Sequence, residues 1–181
     1  RLSRIIGQDR LFGYSSSEMD LTIPDSLEIL GEIFDRETVL VVMSGVTPDR
    51  IKRDTLENFE TNLSMIVNLA RFMNGHPVGK CVFLSTASVY SSRSTNLKVD
   101  EDTTAAPGSY YGTAKFASEC ILRHLSTRSD IPLLVLRPCR IFGPGDIHGN
   151  YGPAKFVRSI LEERKISLYG GGGERRDHLF I

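Results

Sequence analysis

Three short apolar runs, Thr38 to Met43, Lys80 to Leu84 and Leu133 to Arg137, punctuate the first three quarters of the chain, and between them lie longer stretches with helical periodicity. The run Thr-Val-Leu-Val-Val-Met at 38–43 is dense in β-branched residues and does not alternate, the pattern of a parallel strand covered on both faces. Strand, loop, helix and strand in that order make βαβ units. Their parallel strands deliver their carboxyl ends to one edge, where ligands bind. The expected fold class is therefore α/β.

The remaining segments fit around this frame. Arg10 to Tyr14 reads as a short strand, and Asp25 to Phe34 as a helix with Leu27, Leu30, Ile33 and Phe34 on one side. Thr55 to Met73 is a long amphipathic helix carrying Leu56, Phe59, Leu63, Ile66, Ala70 and Met73 at helical spacing, stopped by Asn74-Gly75-His76-Pro77. Residues 91–108 are rich in Ser, Thr, Asp and Pro and read as a surface loop leading to a helix that runs to about Leu125, ended by the polar stretch Ser126 to Asp130. The third strand breaks at Pro138, and Gly143-Pro144-Gly145 marks a turn. A last helix spans Pro153 to Arg164, followed by strand-like Ile166 to Tyr169 and the run Gly170 to Gly173, which reads as a hairpin-like turn. No internal repeat is visible.

With 181 residues the chain has room for one domain with a real core, or one domain and part of another. Its 22 basic and 22 acidic side chains balance, so no global field argues for nucleic acid as a partner. Cys81, Cys120 and Cys139 are odd in number and widely spaced, which favours free thiols in a reducing compartment over a disulfide framework. His76, His124, His148 and His178 form no metal-ligand spacing, so no metal is expected. No apolar stretch reaches the length of a membrane span, and Arg1-Leu2-Ser3-Arg4 does not lead into a signal-peptide core. The default location is the cytoplasm, with no membrane partner.

Chemistry concentrates in Tyr110-Tyr111-Gly112-Thr113-Ala114-Lys115, which follows the hydroxyl-rich strand end Ser85-Thr86-Ala87-Ser88-Val89-Tyr90 by 25 residues. On a helix Tyr111 and Lys115 share a face, so the ammonium favours the ionised phenol, and a tyrosine of lowered pKa is a usable acid and base near neutral pH. Six tyrosines and six lysines over 181 positions would give roughly 0.2 such pairs by chance, so the spacing carries weight only with Thr86 and the βαβ context around it. The plain alternative is a surface tyrosine with a solvated lysine beside it.

A dinucleotide-binding sheet should open with a strand, a Gly-x-Gly-x-x-Gly turn and a helix, and none is present here. The glycines at 143, 145 and 149 have the wrong spacing and follow a late strand. The expectation is a chain that starts inside the domain, lacking at least one βαβ unit of about 30 residues, and that continues past the apolar run His178 to Ile181.

The order of motifs resembles the extended short-chain dehydrogenase/reductases, the NAD-dependent epimerase/dehydratase family that includes many nucleotide-sugar enzymes. Asp20-Leu21-Thr22 is similar to the family's step after the third strand, near the adenine, and Ser44-Gly45 to its small-residue turn after the fourth. Asn62 matches the helix asparagine, Ser85 to Tyr90 the Ser-Ser/Thr-x-x-Val-Tyr segment, and Tyr111 with Lys115 the catalytic pair. Leu136-Arg137-Pro138 and Phe142-Gly143-Pro144-Gly145 resemble the Leu-Arg-Pro and Tyr-Gly-Pro-Gly elements, and Arg176 to Ile181 the Arg-Asp-Phe-Ile-Tyr-Val segment, whose Arg meets substrate diphosphate.

The resemblance implies a Rossmann-type doubly wound parallel sheet, incomplete at its N-terminus. Residues 1–142 would form a partial NAD(P)-binding domain with the catalytic residues, and 143–181 the start of a small substrate-binding region. Thr86, Tyr111 and Lys115 would be catalytic; Asp20, Leu21, Ser44, Gly45, Asn62, Tyr111, Lys115 and Pro138 would meet the cofactor, NAD or NADP with NAD preferred. Thr86, Ala87, Ser88, Arg140 and Arg176 would meet a nucleotide-sugar substrate. A homodimer is a further option. In the 4,6-dehydratases an Asp-Glu pair follows the active-site Thr, whereas here Ala87-Ser88 offers no ionisable group, which favours a 4-epimerase or a reductase.

Several positions depart from the family pattern. Ser91 stands where the family has Gly, Met65-Ile66 replaces Gly-Thr, and Arg140 replaces a substrate-facing Asn. Arg140 would then bind an acidic group or pair with a surface acid. Asn62 has a second reading as a loop clamp, and Arg176 as a solvated turn residue. The competing functional class is a non-catalytic sensor or scaffold that keeps the fold.

Overall fold

A computed structural model of the chain describes residues 7, 10–48, 53–91, 98–144, 152–167 and 177–181. It divides into two units, Arg1–Leu136 and Arg137–Ile181.

The first unit is built on three parallel strands, β1 (Val39–Val42), β2 (Lys80–Leu84) and β3 (Leu133–Leu136), in that spatial order. Leu40 lies opposite Cys81 and Val42 opposite Phe83, while Phe83 in turn lies opposite Val135. Helix α1 (Leu56–Gly75) joins β1 to β2, and helix α2 (Tyr110–Ser129) joins β2 to β3. Both crossovers step the same way across the sheet, and right-handed crossovers in one direction put their helices on one face. The two helices pack on each other and close a core of Val42, Ile66, Leu69, Met73, Cys81, Phe83 and Leu122.

The opposite face differs from the expectation of double cover: Val39, Val41, Leu134 and Leu136 are exposed. Helices on that side would have to come from strands laid down in the other direction, and the described strands run only one way.

The 25–34 segment forms a 3-10 helix, Pro24–Glu32, rather than an α-helix. Leu27, Leu30 and Ile33 recur every third residue, and with three residues per turn they line up, which buries Leu27 and Leu30. Arg10 to Tyr14 is not a strand; Leu11 and Phe12 are exposed and pair with nothing regular. Helix α2 runs past Leu125 to Ser129, because its polar last turn continues the ladder until Asp130 adopts a left-handed conformation at φ 50°.

The second unit pairs β4 (Arg140–Phe142) in parallel with β5 (His178–Phe180) and carries helix α3 (Gly152–Glu163). Neither strand was expected as such; Arg140-Ile141-Phe142 is too short to show a period. Gly143 is needed here: its φ is 150°, and a Cβ would lie 2.4 Å from the carbonyl oxygen of Ile181. Ile166 and Ser167 are not in a strand, and 168–176, with the glycine run, lie outside the described residues.

No helix among the described residues is long and apolar enough to cross a membrane, and no cluster of metal-ligating side chains occurs among them.

Candidate active site

Strand β2 ends where its apolar residues give way to hydroxyls. Ser85 is still held by the sheet, its N–H donating to the Leu136 carbonyl at 2.7 Å, and Thr86 then turns the chain into a single 3-10 turn, Ala87–Val89. Thr86 Oγ1 accepts the Ser88 N–H at 3.1 Å, so the turn uses one of the oxygen's lone pairs and not its hydrogen. The Val89 carbonyl accepts the Ala106 N–H at 2.9 Å, fixing the far side of the turn.

Helix α2 begins directly against this turn. Ser109 caps it, its Oγ accepting the Gly112 N–H at 3.0 Å. A second cap comes from far along the chain: the Asp54 carboxylate accepts the N–H groups of Tyr110 and Tyr111, each at 2.9 Å. A carboxylate at the positive end of the helix dipole steadies the turn that carries Tyr111. Gly112 allows the close approach, since a Cβ there would stand 2.4 Å from the Ser88 carbonyl oxygen. Thr86, Ala87 and Ser88 are thus brought onto the first turn of the helix of Tyr111 and Lys115.

The inward face of α2 is unusual for a helix packed on a sheet. It buries Gly112, Ala114, Lys115, Ser118, Glu119 and Leu122, so ionisable groups sit where an apolar stripe is the rule. Lys115 is 4% exposed and its Nζ lies 4.3 Å from the centre of the Phe83 ring, a cation–π contact. Burial pushes its ammonium down to about 8, with the Glu119 charge pulling the other way. Glu119 is fully buried; its Oε1 accepts the Ser85 hydroxyl at 2.5 Å, and its Oε2 meets Arg123 Nη2 at 3.2 Å. Tyr111 is half-buried.

Around the rest of the carboxyl edge, the turn after β1 contains Ser44 and Gly45. Ser44 Oγ is buried and has no hydrogen-bond partner among the described residues. Asn62, from α1, clamps this turn: its Oδ1 accepts the Val46 N–H at 2.8 Å and its Nδ2 donates to the carbonyls of Val46 and Asn58. All three bonds go to backbone, so Asn62 shapes the Ser44-Gly45 turn. Asp20 is held in a local turn, its Oδ1 accepting the N–H and hydroxyl of Thr22, which keeps its carboxyl below the usual range. Asn68 fixes that segment by donating to the carbonyls of Leu21 and Thr22, both at 3.0 Å. Pro138 and Arg140 belong to the second unit, where both are half-buried. Arg176 lies outside the described residues.

Glu119, Asp54, Asn68 and Gly112 were not anticipated as parts of the site. A signal for Glu119 existed: it stands four residues after Lys115 and three before Leu122, on one helical stripe. Asp54 gave none, because its partners are more than 50 residues away.

The family profile for NAD dependent epimerase/dehydratase enzymes matches residues 4–181. The chain belongs to the NAD-dependent epimerase/dehydratase family. Among similar proteins, UDP-glucuronate 4-epimerase of Thermodesulfobacterium geofontis is 27% identical over 174 residues, covering 91% of this chain and 50% of its own. UDP-glucose 4-epimerase of Mycolicibacterium smegmatis is 26% identical over 164 residues, 90% of this chain and 52% of its own. A crystal structure of UDP-glucose 4-epimerase from Thermotoga maritima with UDP-glucose superposes with a TM-score of 0.77 at 23% identity, over 90% of this chain and 54% of that one, which establishes the shared Rossmann-type fold. A dTDP-glucose 4,6-dehydratase from Bacillus anthracis in complex with NAD gives 0.71 at 26% identity, over 88% and 48%. This family member spans about half the length or less of such relatives.

Proposed function

We propose that the complete protein is an NAD(P)-dependent epimerase or reductase acting on a nucleotide-activated sugar, with Thr86, Tyr111 and Lys115 carrying the chemistry. The observation that supports this most directly is the seating of the Thr86–Ser88 turn on the first turn of α2 across Gly112, beside a buried Lys115. The relatives named for 4-epimerase activity, and the solved neighbours holding UDP-glucose or NAD, support the same substrate and cofactor classes.

The residues present fit a dinucleotide. Ser44 Oγ, buried at the carboxyl edge of the sheet with no hydrogen-bond partner among the described residues, would be satisfied by a ligand that brings a hydrogen-bonding group. Asp20 and Leu21, Ser44 and Gly45 with the Asn62 clamp, Tyr111 and Lys115 are the proposed cofactor residues of the first unit, and Ala87 and Ser88 its proposed sugar residues. Pro138 for the cofactor, and Arg140 and Arg176 for the sugar, are proposed from the family resemblance alone. On this reading residues 1–142 serve the cofactor and the chemistry, and 143–181 begin the substrate region. Hydride acceptance and return would be supplied by a nicotinamide held by the cofactor-side residues.

The protein's own part is proton movement and orientation. Thr86 donates its hydroxyl hydrogen to the reacting sugar oxygen. Tyr111 takes the proton from that oxygen as the phenolate and returns it as the phenol, and the Lys115 ammonium stabilises the phenolate form. With its pKa near 8, Lys115 remains largely cationic at neutral pH. Ala87 and Ser88 supply no acid or base to expel water, which favours epimerisation or reduction over dehydration. A homodimer and a cytoplasmic location belong to the same proposal.

Incubating the complete protein with UDP-glucose, UDP-glucuronate and NAD, with proton NMR of the sugar and nicotinamide absorbance as readouts, tests this. We expect a C4-inverted sugar or a change in nicotinamide redox state, and a loss of about 10²–10⁴ in turnover for Tyr111→Phe. No product and no absorbance change, with Tyr111→Phe behaving as the parent, would favour the non-catalytic sensor or scaffold instead.

A further inference from the structure

We propose that Glu119 is a positioning residue for the reaction assigned above: it fastens the strand end that carries Thr86 to the helix that carries Tyr111 and Lys115, and sets the charge next to Lys115. The inference rests on that assignment of the reaction.

The geometry is specific. Ser85 is the residue immediately before Thr86, and its hydroxyl donates to Glu119 Oε1 at 2.5 Å, a charge-assisted bond within a fully buried pair. Glu119 stands one helical turn after Lys115 and two turns after Tyr111, so one carboxylate connects the element holding the hydroxyl donor to the element holding the acid–base pair. Its second oxygen is occupied by Arg123, which extends to solvent and anchors the carboxylate without neutralising it inside the core. A buried carboxylate is expensive, and an apolar residue at this position would pack the helix on the sheet without that expense. Its presence on the stripe that ends in Leu122 therefore marks a task other than stability.

That task includes Lys115. On α2 the titratable groups around it are Tyr111 one turn earlier and Glu119 one turn later, with Arg123 beyond. Strand β2 contributes the Phe83 ring and the Ser85 hydroxyl, and α1 turns inward Asn62, Ile66, Asn68, Leu69 and Met73, none of them ionisable. Desolvation favours the neutral amine, and Glu119 opposes it. Without the carboxylate a larger share of Lys115 would be neutral at working pH, and the phenolate of Tyr111 would lose its counter-charge.

The test uses the complete protein with NAD and the nucleotide sugar it turns over, in Glu119→Gln, Ser85→Ala and their combination. Glutamine keeps the side-chain volume but removes the charge, and with it the charge-assisted bond that Ser85 donates. We expect Glu119→Gln to lower kcat about tenfold with KM within about twofold, and to move the alkaline limb of kcat about one pH unit lower. Ser85→Ala should lower kcat less, and the double variant should be no worse than Glu119→Gln alone. Arg123→Met is the opposite control: removing that cation moves the alkaline limb upward, and it carries the test if Glu119→Gln does not fold. An unshifted limb in folded Glu119→Gln, an unshifted limb in Arg123→Met, or kcat losses that simply multiply in the double variant would each overturn the proposal. Titration of Lys115 by NMR of ¹³C-methylated lysines reports on Glu119 without turnover. If Tyr111→Phe and Lys115→Met left turnover intact, the reaction assignment would fail, while a downward-shifted Lys115 titration in Glu119→Gln would still uphold the hold of Glu119 on Lys115.

Discussion

On one face of the three-stranded sheet Val42, Cys81 and Phe83 are buried, with Leu40, Leu133 and Val135 packed against the same core; on the other, Val39, Val41, Leu134 and Leu136 are exposed and Val82 and Leu84 half-buried. The two faces are almost equally apolar in sequence and differ in what lies on them. The covered face carries both helices, and through α2 it carries Lys115, Glu119 and the turn of Thr86. Apolar composition of a strand therefore records how many faces it is suited to bury, while the direction of the crossovers decides which face α1 and α2 take. The proposed chemistry follows the helices.

The strongest way to break the contrast is at Phe83, which is fully buried and also supplies the ring under Lys115. Phe83→Ala should cost about 3–5 kcal/mol in urea unfolding, from lost transfer energy and the cavity left behind. A loss below about 1 kcal/mol would mean that the covered face is not the core.

Next in size is the pH dependence of that face. The unfolded Lys115 has its ordinary value of 10.5 and the folded one about 8, so between these values the unfolded chain binds more protons than the folded one. Stability then rises with pH across that window: the penalty is fully present below about pH 8 and gone above about 10.5. Its full size is about 3 kcal/mol. Subtracting the profile of Lys115→Met, in which the group is absent, should isolate the rise; a flat difference would show that Lys115 is solvated. Cys81 on the same face has its thiol pushed up to about 11 by burial, so thiol reagents at neutral pH should leave it untouched until the chain unfolds.

The elements that fix the fold were legible because each rests on local pattern. The strands at 39–42, 80–84 and 133–136 and the two crossover helices follow from apolar runs and helical period, and the hydroxyl turn and Tyr-x-x-x-Lys spacing follow from short motifs. What escaped depends on tertiary partners. The inner stripe of α1 is Asn62, Ile66, Leu69 and Met73, and its two buried asparagines hide the period that Leu56, half exposed at its start, suggests. Helix α2 shows the same effect more strongly, since its inward face is polar and is satisfied by tertiary partners such as Ser85 and Phe83. The capping of α2 by Asp54 is a contact over more than 50 residues, which no local window contains.

Gly112 sharpens the comparison within the covered face. Replacing a glycine inside a helix with alanine ordinarily gains up to about 1 kcal/mol; at Gly75, which closes α1 and where a Cβ would meet nothing within 4 Å, a smaller gain of the same sign should appear. At Gly112 the Cβ would stand 2.4 Å from the Ser88 carbonyl oxygen, so Gly112→Ala should instead destabilise by about 1–3 kcal/mol. Turnover should fall further than stability does, because the displaced turn is the one that holds Thr86. Equal thermal shifts for the two alanine variants would contradict the close approach.

The smallest effect belongs to the bare face. Leu134 is 50% exposed and lies beside Val82 in register, with no helix above it among the described residues. In the 181-residue chain Leu134→Thr introduces a β-branched, strand-compatible side chain and removes little buried area, so unfolding free energy should change by no more than about 0.5 kcal/mol. The same replacement one register position along, at Val135, enters the covered face and places a hydroxyl against the apolar core, which should cost about 1–3 kcal/mol. Two adjacent residues on one strand, changed to the same amino acid, then differ several-fold in cost. If instead Leu134→Thr proved as damaging as Val135→Thr, the second face would have to be covered in solution, and the one-sided arrangement of α1 and α2 would account for only part of the sheet's stability.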